Sequence, residues 1–334
     1  MQIKELTEGT SVEGIHGLVE KLEVSATKAG KPYLRLTIRD ESGSIAGVMW
    51  DYSSNGWLKE GVVVEINGDV SSYQGALQMK YAMIMPSDKD PGLFAKRTKF
   101  DVETMWSYLV DKVASFQEPL TKYVAEEILL NHPEVTEAFK LAPAARGVHN
   151  AWYNGLLEHV WSLCQMGELL VDHYRRNYCP KISRDKVLFG LMIHDAGKII
   201  EYDYKTPAFS TTGLGILANH MVLGPAWVFE AANKWLRSQE AAGGGKAWST
   251  LSAAQFKLER AQLMHLCAAH HGRVEWGSPV QPATLEAILV HHLDNTDAKM
   301  MHAMDYVLGK AGPVAGFSEK SFIERVSFMQ YPEG

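Results

Sequence analysis

Two textures of apolar spacing divide the chain. From about residue 10 to residue 86 the apolar positions fall in short runs rich in Val, Ile, Leu and Tyr, at 14–24, 33–40, 45–50, 62–70 and 77–84. Turn-forming clusters separate them: Lys28-Ala29-Gly30-Lys31-Pro32, Glu41-Ser42-Gly43, Asn55-Gly56 and Gln74-Gly75. Such runs predict β-strands, and five of them within about 75 residues predict a small closed barrel. Pro86-Ser87-Asp88-Lys89-Asp90-Pro91-Gly92 reads as a linker. After Phe100 the apolar residues recur at three- and four-residue spacing, which predicts helices. These are expected over 102–116, 119–130, 152–174, 186–194, 217–236, 253–271 and 284–308, with Ser183 as an N-cap before Lys186. Loops are expected at 202–215 and along the glycine run at 241–245.

The fold class that follows is multidomain: an all-β, OB-like barrel at 1–86, a linker at 87–100, an all-α bundle at 101–316 and a C-terminal tail at 317–334. With 46% hydrophobic and 22% charged residues in 334, the chain has ample material for a sizeable core. Cys164, Cys179 and Cys267 form no CxxC pair, so neither a disulfide framework nor a zinc knuckle is expected and a reducing cytoplasm is the natural home. The first residues lack the apolar region of a signal peptide, and no run approaches the roughly 18–20 apolar residues of a membrane span. The net charge of −6 argues against a protein that grips duplex nucleic acid by electrostatics alone.

Most of the 13 histidines lie between His132 and His302. In order, the helical part offers His159, His194-Asp195, His220, His270-His271 and Asp294, each within or at the end of an apolar helical segment. Imidazole and carboxylate are the ligands that divalent transition metals favour. A carboxylate can bridge two cations beside a ligating imidazole, and such a pair can activate water and clamp a phosphoryl oxygen. A single histidine on an apolar helix is ordinarily a packed core residue. Five segments each presenting one, with a His-Asp doublet followed by Gly-Lys, point instead to a shared metal site. His149, His265, His291, His292 and His302 stay individually ambiguous, and His291 and His292 could belong to the packed face of the last helix.

The order H…HD…H…H…D, with HDAGK at its centre, resembles the HD superfamily of metal-dependent phosphohydrolases over about residues 145–310. The stretches HNAWYNGLLEHV, HDAGKIIEY, HHGRVEWGSP and HHLDNTDAKM, with GKPYLRLTIRDESGSIAGVMWD in the barrel, resemble more closely the YhaM-type 3′→5′ exoribonucleases, which join an OB-like domain to an HD domain. The resemblance implies that His159, His194, Asp195 and Asp294 hold one divalent ion, with Asp195 bridging, and that His220 and one of His270 and His271 hold a second. Adjacent helical residues point about 100° apart, which favours one of that pair over both. Manganese is the ion the resemblance implies, while the donor set also suits Fe, Co, Ni or Mg. Lys198 resembles a phosphate-contacting lysine, and Asp297 an outer partner or helix-stabilising acid. Arg273, Glu275, Trp276 and Ser278 fall in a loop that the family places by the substrate; Trp276 either stacks on a base or closes the bundle.

The segment 238–252 looks like extra sequence, and residues 1–86 carry 8 Lys/Arg against 11 Asp/Glu. In the barrel, Tyr33, Arg35, Trp50 and Tyr73, with Lys31 and Lys80, are the candidates for stacking and phosphate contact. The other reading puts Trp50 and Tyr33 in the barrel interior or in its contact with the helical domain, and gives the module a role in a homo-oligomer as much as in strand capture. The expected activity is a 3′→5′ exonuclease on single-stranded RNA or DNA that releases nucleoside 5′-monophosphates, with no membrane partner. Its rivals are an HD enzyme on small or cyclic nucleotides, which the acidic balance favours, and a catalytically silent binding module.

Overall fold

Along Pro32–Asp40 the side chains alternate between interior and water: Leu34, Leu36 and Ile38 are buried, Arg35 is exposed, and Tyr33 and Thr37 are half-buried. This period of two is what a strand with one buried face requires. The computed structural model describes residues 2–27, 29–53, 56–73, 76–146, 150–243, 251–309, 312–321 and 323–331. It divides into two compact units, Met1–Thr98 with Asp203–Ser210, and Lys99–Tyr202 with Thr211–Gly334.

In the first unit, strands β1 (Ser11–Ala26), β2 (Pro32–Asp40), β3 (Gly43–Trp50), β4 (Val63–Tyr73) and β5 (Ala76–Pro86) close into a barrel in the order β1-β2-β3-β5-β4. All neighbours are antiparallel except β3 and β5. Closure at that parallel pair depends on Gly47. A Cβ there would lie 2.5 Å from the Met79 carbonyl oxygen and 2.4 Å from the Tyr81 ring. The interior is filled by Val19, Leu36, Ile45, Ile66 and Met79 among others. Burying each such side chain is worth about 1.5–3 kcal/mol. The strands are those expected from the sequence and run further at most ends, because ladder pairing continues through polar residues such as Ser25 and Ser72.

The second unit is helical: α1 (Val102–Ala114), α2 (Pro119–Leu129), α3 (Pro133–Leu141), α4 (Gly155–Asn177), α5 (Arg184–Ile193) and α6 (Lys198–Glu201). A two-stranded pair, β6 (Tyr202–Asp203) and β7 (Ser210–Thr211), precedes α7 (Gly213–Leu217), α8 (His220–Gly243), α9 (Ala253–Ala268) and α10 (Leu285–Val307). A hairpin of β8 (Phe317–Lys320) and β9 (Ser327–Met329) follows. Ser183 caps α5 as expected, its hydroxyl accepting from the Lys186 amide at 3.1 Å. Residues Val187–Ile193 of α5 are all buried, with α4, α9 and α10 packed around the helix. A helix apolar on every side belongs in the centre of a bundle.

Several expectations are corrected. The short α3 went unseen, since Phe139 is its only buried residue and gives no periodic signal. The expected loop at 202–215 holds the β6–β7 pair and the start of α7. The helix expected from 217 begins at His220, because Ala218 is extended at φ −147°. The expected break at 241 is absent, since α8 continues through Gly243; the remainder of that glycine run lies outside the described residues. The C-terminal segment pairs as the β8–β9 hairpin, and Ser321 beside it hydrogen-bonds the buried His302 ring at 2.8 Å. No helix among the described residues is long and apolar enough to cross a membrane.

Candidate metal centre

Because α5 is buried on all sides, the residues leaving its C-terminus enter the interior of the bundle. His194 caps that end at 0% exposure and Asp195 follows at 2%. Gly197 then lets the chain turn close against the start of α8, where a Cβ would lie 2.8 Å from the His220 Cα. His159 comes from the second turn of α4 and Asp294 from the middle of α10. His270 and His271 lie beyond the end of α9, in a turn closed by Gly272 at φ +78°. They have left the helix, so the 100° separation expected of helical neighbours does not apply. Both rings reach the cluster, with centroids 4.4 Å apart.

The five imidazoles share one arrangement. The Nδ1 of His159 donates to Asp297 Oδ2 at 2.7 Å, that of His194 to the Leu191 carbonyl at 3.0 Å, and that of His220 to Glu201 Oε2 at 2.6 Å. The Nδ1 of His270 donates to the Cys267 carbonyl at 2.7 Å and that of His271 to the Trp276 carbonyl at 2.9 Å. Carbonyls and carboxylates only accept, so each ring keeps a proton on Nδ1 and presents Nε2 to the cluster. Outer acceptors that fix tautomer and ring plane in this way are the usual second layer of a metal site.

Asp195 lies between two groups of these nitrogens. Its Oδ2 is 3.3 Å from His194 Nε2, while its Oδ1 is 3.6 Å from the Nε2 of both His220 and His270. Asp294 Oδ1 is 3.2 Å from His159 Nε2 and 3.7 Å from His194 Nε2. Three overlapping sets have ligand atoms within 4.8 Å of one another: His159, His194 and Asp195; His194, His270 and Asp294; His220, His270 and His271.

The donor set fits a divalent cation on an independent ground. Among the described residues, five buried side-chain polar atoms lack a hydrogen-bond partner, and three are here: His194 Nε2, His270 Nε2 and Asp195 Oδ1. Each such atom costs about 1–3 kcal/mol unless something satisfies it. Their concentration at one point is what a cation-binding pocket requires.

The electrostatics agree. Burial would raise Asp195, but Lys198 and His194 outweigh it and hold the carboxyl well below its ordinary range. Asp294 is likewise held low, against burial, by His159 and His194. Burial would lower His194, yet Asp195 and Asp294 bring it up to about 10. The field that draws a proton onto this ring would draw a divalent cation. His270 and His271 are pushed down by burial first and by neighbouring imidazoles second, which keeps them neutral.

Lys198 Nζ lies 2.6 Å from Asp195 Oδ2 at the edge of the cluster. The group opens into a cleft of about 250 Å³ that also touches Trp276, His291 and Asn295. A larger cavity of about 700 Å³, around Glu127 and Trp227, contains none of these groups.

The other sequence candidates fall as follows. Arg273 lies 5.0 Å from the centroid of Trp276, whose ring is 48% exposed. Ser278 is buried, its hydroxyl given to backbone carbonyls, and Glu275 is exposed. His291 is buried and donates from Nδ1 to the His270 carbonyl at 2.7 Å, whereas His292 is exposed. His265 Nε2 accepts from the Ala283 amide. His149 lies outside the described residues. Glu201 and Ser162, the latter bonded to Asp297 at 2.7 Å, were missed. The only signal was an acid closing the apolar run after HDAGK.

In the barrel unit, Tyr33 and Trp50 are cross-strand partners with ring centroids 5.1 Å apart, and Arg35 lies 5.7 Å from the Tyr33 centroid. Trp50 is 56% and Tyr73 61% exposed, so these rings do not fill the interior; Tyr52 and Tyr81 do. Tyr33, Arg35, Trp50, Tyr73 and Lys80 line one groove, with Glu20, Glu23 and Glu60 also on its walls. Lys31 instead pairs with Asp51 at 3.7 Å.

Residues 15–86 match the family described as OB-fold nucleic acid binding domain, and residues 156–299 match the family described as HD domain. The chain therefore combines an N-terminal OB-fold barrel with a helical HD domain. It is 28% identical over 324 residues to the 3′-5′ exoribonuclease YhaM of Geobacillus sp. (strain WCH70), covering 95% of this chain and 91% of that protein. The YhaM protein of Bacillus pumilus (strain SAFR-032) is also 28% identical, over 95% of this chain and 94% of its own length.

Proposed function

We propose that this chain is a metal-dependent 3′→5′ exonuclease that hydrolyses single-stranded RNA, with single-stranded DNA as the alternative substrate, to nucleoside 5′-monophosphates. The observation that carries the reading is a cluster of five Nδ1-tethered imidazoles in which His194, His220 and His270 face the two oxygens of Asp195, His159 faces Asp294, and His271 stands beside His220 and His270. Similarity to the YhaM exoribonucleases along nearly the whole chain supports the substrate class. His159, His194, Asp195 and Asp294 would hold one divalent ion, and His220, His270 and His271 a second, with Asp195 shared; manganese is the ion favoured. When bound, such ions polarise a phosphoryl oxygen and lower the pKa of water enough for attack at neutral pH.

The chain's own residues do the rest. Lys198 keeps its proton, because Asp195 outweighs the cost of burial, and can donate to a non-bridging phosphate oxygen as charge develops there. Trp276, backed by Arg273, offers a stacking face at the cleft for the base of the scissile nucleotide. The barrel groove, with Tyr33, Trp50 and Tyr73 beside Arg35 and Lys80, offers stacking faces and cations to single-stranded nucleic acid. All three cysteines are free thiols, in keeping with a cytoplasmic enzyme.

The chain's net charge of −6 favours a second reading, hydrolysis of a small nucleotide phosphoester at the same centre. Product analysis on a labelled oligonucleotide beside free and cyclic nucleotides separates the two: the exonuclease shortens the strand from its 3′ end and leaves the nucleotides alone.

A further inference from the structure

We propose that the C-terminal end of α4 is a further contact for single-stranded nucleic acid, separate from the metal centre. The identity of its occupant rests on the nuclease reading above.

The end of α4 opposite His159 carries three rings packed on one another. His173 lies 5.3 Å from Tyr174 and 5.8 Å from Tyr178, and the two tyrosines are 5.8 Å apart. They gather in water: Tyr178 is 74% and Tyr174 41% exposed, next to Leu169 at 73%. From His173 to Arg184 the chain has Arg175, Arg176, Lys181 and Arg184 and no Asp or Glu, within a protein of net charge −6. Nearby carboxylates offset part of this charge. Arg176 pairs with Asp172; Arg184 pairs with Glu168 at 2.5 Å and Asp185 at 3.5 Å; Lys112 shares Glu168 at 2.7 Å. Three cations thus meet three carboxylates, and Glu118 and Glu286 both accept from Ser183 in the same segment, while no ion pair is formed by Arg175 or Lys181 among the described residues. Arg175, Arg176 and Arg184 border a cleft of about 560 Å³ there, with Leu169 and Pro180.

A helix C-terminus favours cations in its last turn, which accounts for Arg175 and Arg176. It does not account for Lys181, which lies past the helix, nor for three rings packed together within the same stretch of chain. Ring faces for stacking interleaved with cations for phosphates are what a single strand needs. An acidic peptide would use the charges and leave the rings idle.

From His159 to Asn177 the helix rises about 27 Å at roughly 1.5 Å per residue. A strand whose end occupies the metal centre would touch this knuckle only if it is several nucleotides long. The contact therefore selects for length, not for the chemistry of the end.

The test is binding by full-length protein, with chelator present so that nothing is cut. Fluorescein-labelled RNA strands of about 20 and about 4 nucleotides are titrated against wild type, Arg175→Glu/Lys181→Glu, Tyr178→Ala, and the conservative Arg175→Lys/Lys181→Arg. For the long strand, the charge-reversal pair should weaken binding tenfold or more, and the slope of log K against log salt should shrink by about 1.4, or about 0.7 for each of two phosphate contacts. Tyr178→Ala should weaken it about fivefold or more, the conservative pair should bind like wild type, and the short strand should be indifferent throughout. An unchanged affinity and salt slope for the long strand would overturn the proposal, as would equal weakening for both lengths. So would a poly-glutamate peptide that binds as tightly as the long strand and is lost in the same variants. Because the readout is binding, a length-dependent loss in a protein that cleaves no RNA would keep the contact and remove the nuclease reading.

Discussion

Oε2 of Glu201 accepts two hydrogen bonds from one residue, His220: one from ring Nδ1 at 2.6 Å and one from the backbone amide at 2.7 Å. Burial would raise this carboxyl, but the bonds from His220 outweigh it and hold the pKa below its ordinary range. The charged oxygen thus fixes both the tautomer of His220 and the start of α8. Glu201→Gln removes the charge and keeps the shape. Loss of such an outer partner typically costs about 10–100-fold in metal affinity. Metal titration should show a weakened second site and an unchanged helical circular dichroism spectrum; wild-type affinity at both sites would leave Glu201 a merely structural acid.

Lys198→Ala should lower turnover by about 10²–10³-fold, the usual effect of removing one charge-assisted donor from a transition state. Metal content should stay near wild type, since Lys198 contacts Asp195 Oδ2 from outside the imidazole cluster. Normal turnover with metal retained would make Lys198 only a counter-ion.

Metal uptake should release protons. Asp195 and Asp294 raise His194 to about 10 against the opposing effect of burial, and Asp294 and Asp297 raise His159. Below its pKa His194 carries a proton that a cation must displace, so apparent affinity should climb with pH toward about 10, well past an ordinary histidine's range near 6.5. Calorimetry at pH 7 in two buffers of different ionisation enthalpy should show at least one proton released per protein. Zero release, with affinity flat from about pH 7 to 9, would contradict the proton-for-cation exchange.

In the barrel, Trp50→Ala should weaken binding of a single-stranded oligonucleotide by about 1–3 kcal/mol, the worth of one stacked base. Hydrolysis of a small chromogenic phosphodiester should not change, because every proposed ligand lies in the other unit. If oligonucleotide affinity holds while Tyr33 and Tyr73 substitutions are equally silent, the groove is not a strand-binding surface.

Much of this was legible in the sequence, for identifiable reasons. Barrel strands bury one face, and β2 shows it in Leu34, Leu36 and Ile38. Ser183 could be read as a cap because its mechanism is local. The His and Asp series was legible as a candidate cluster because imidazoles and carboxylates stand out on apolar helices. What escaped depends on tertiary placement. Glu201 matters only because α6 turns back on His220 past Gly197. The pair His270 and His271 could not be resolved by helical geometry, since α9 stops at Ala268. Nor could spacing along the chain decide that Trp50 faces outward while Tyr81, five strand positions along β5, donates its hydroxyl to the Leu36 carbonyl inside the barrel.

The most direct measurement is cleavage of a 5′-labelled single-stranded RNA by metal-stripped protein, before and after manganese is restored. Stepwise shortening from the 3′ end, with nucleoside 5′-monophosphates as the product, should appear only with the metal and vanish in His194→Ala and Asp195→Ala, which should keep their helical spectra. Cleavage that persists in the stripped protein, or an intact strand in the presence of a fully metal-loaded centre, would contradict the assignment of this cluster as a phosphodiesterase site.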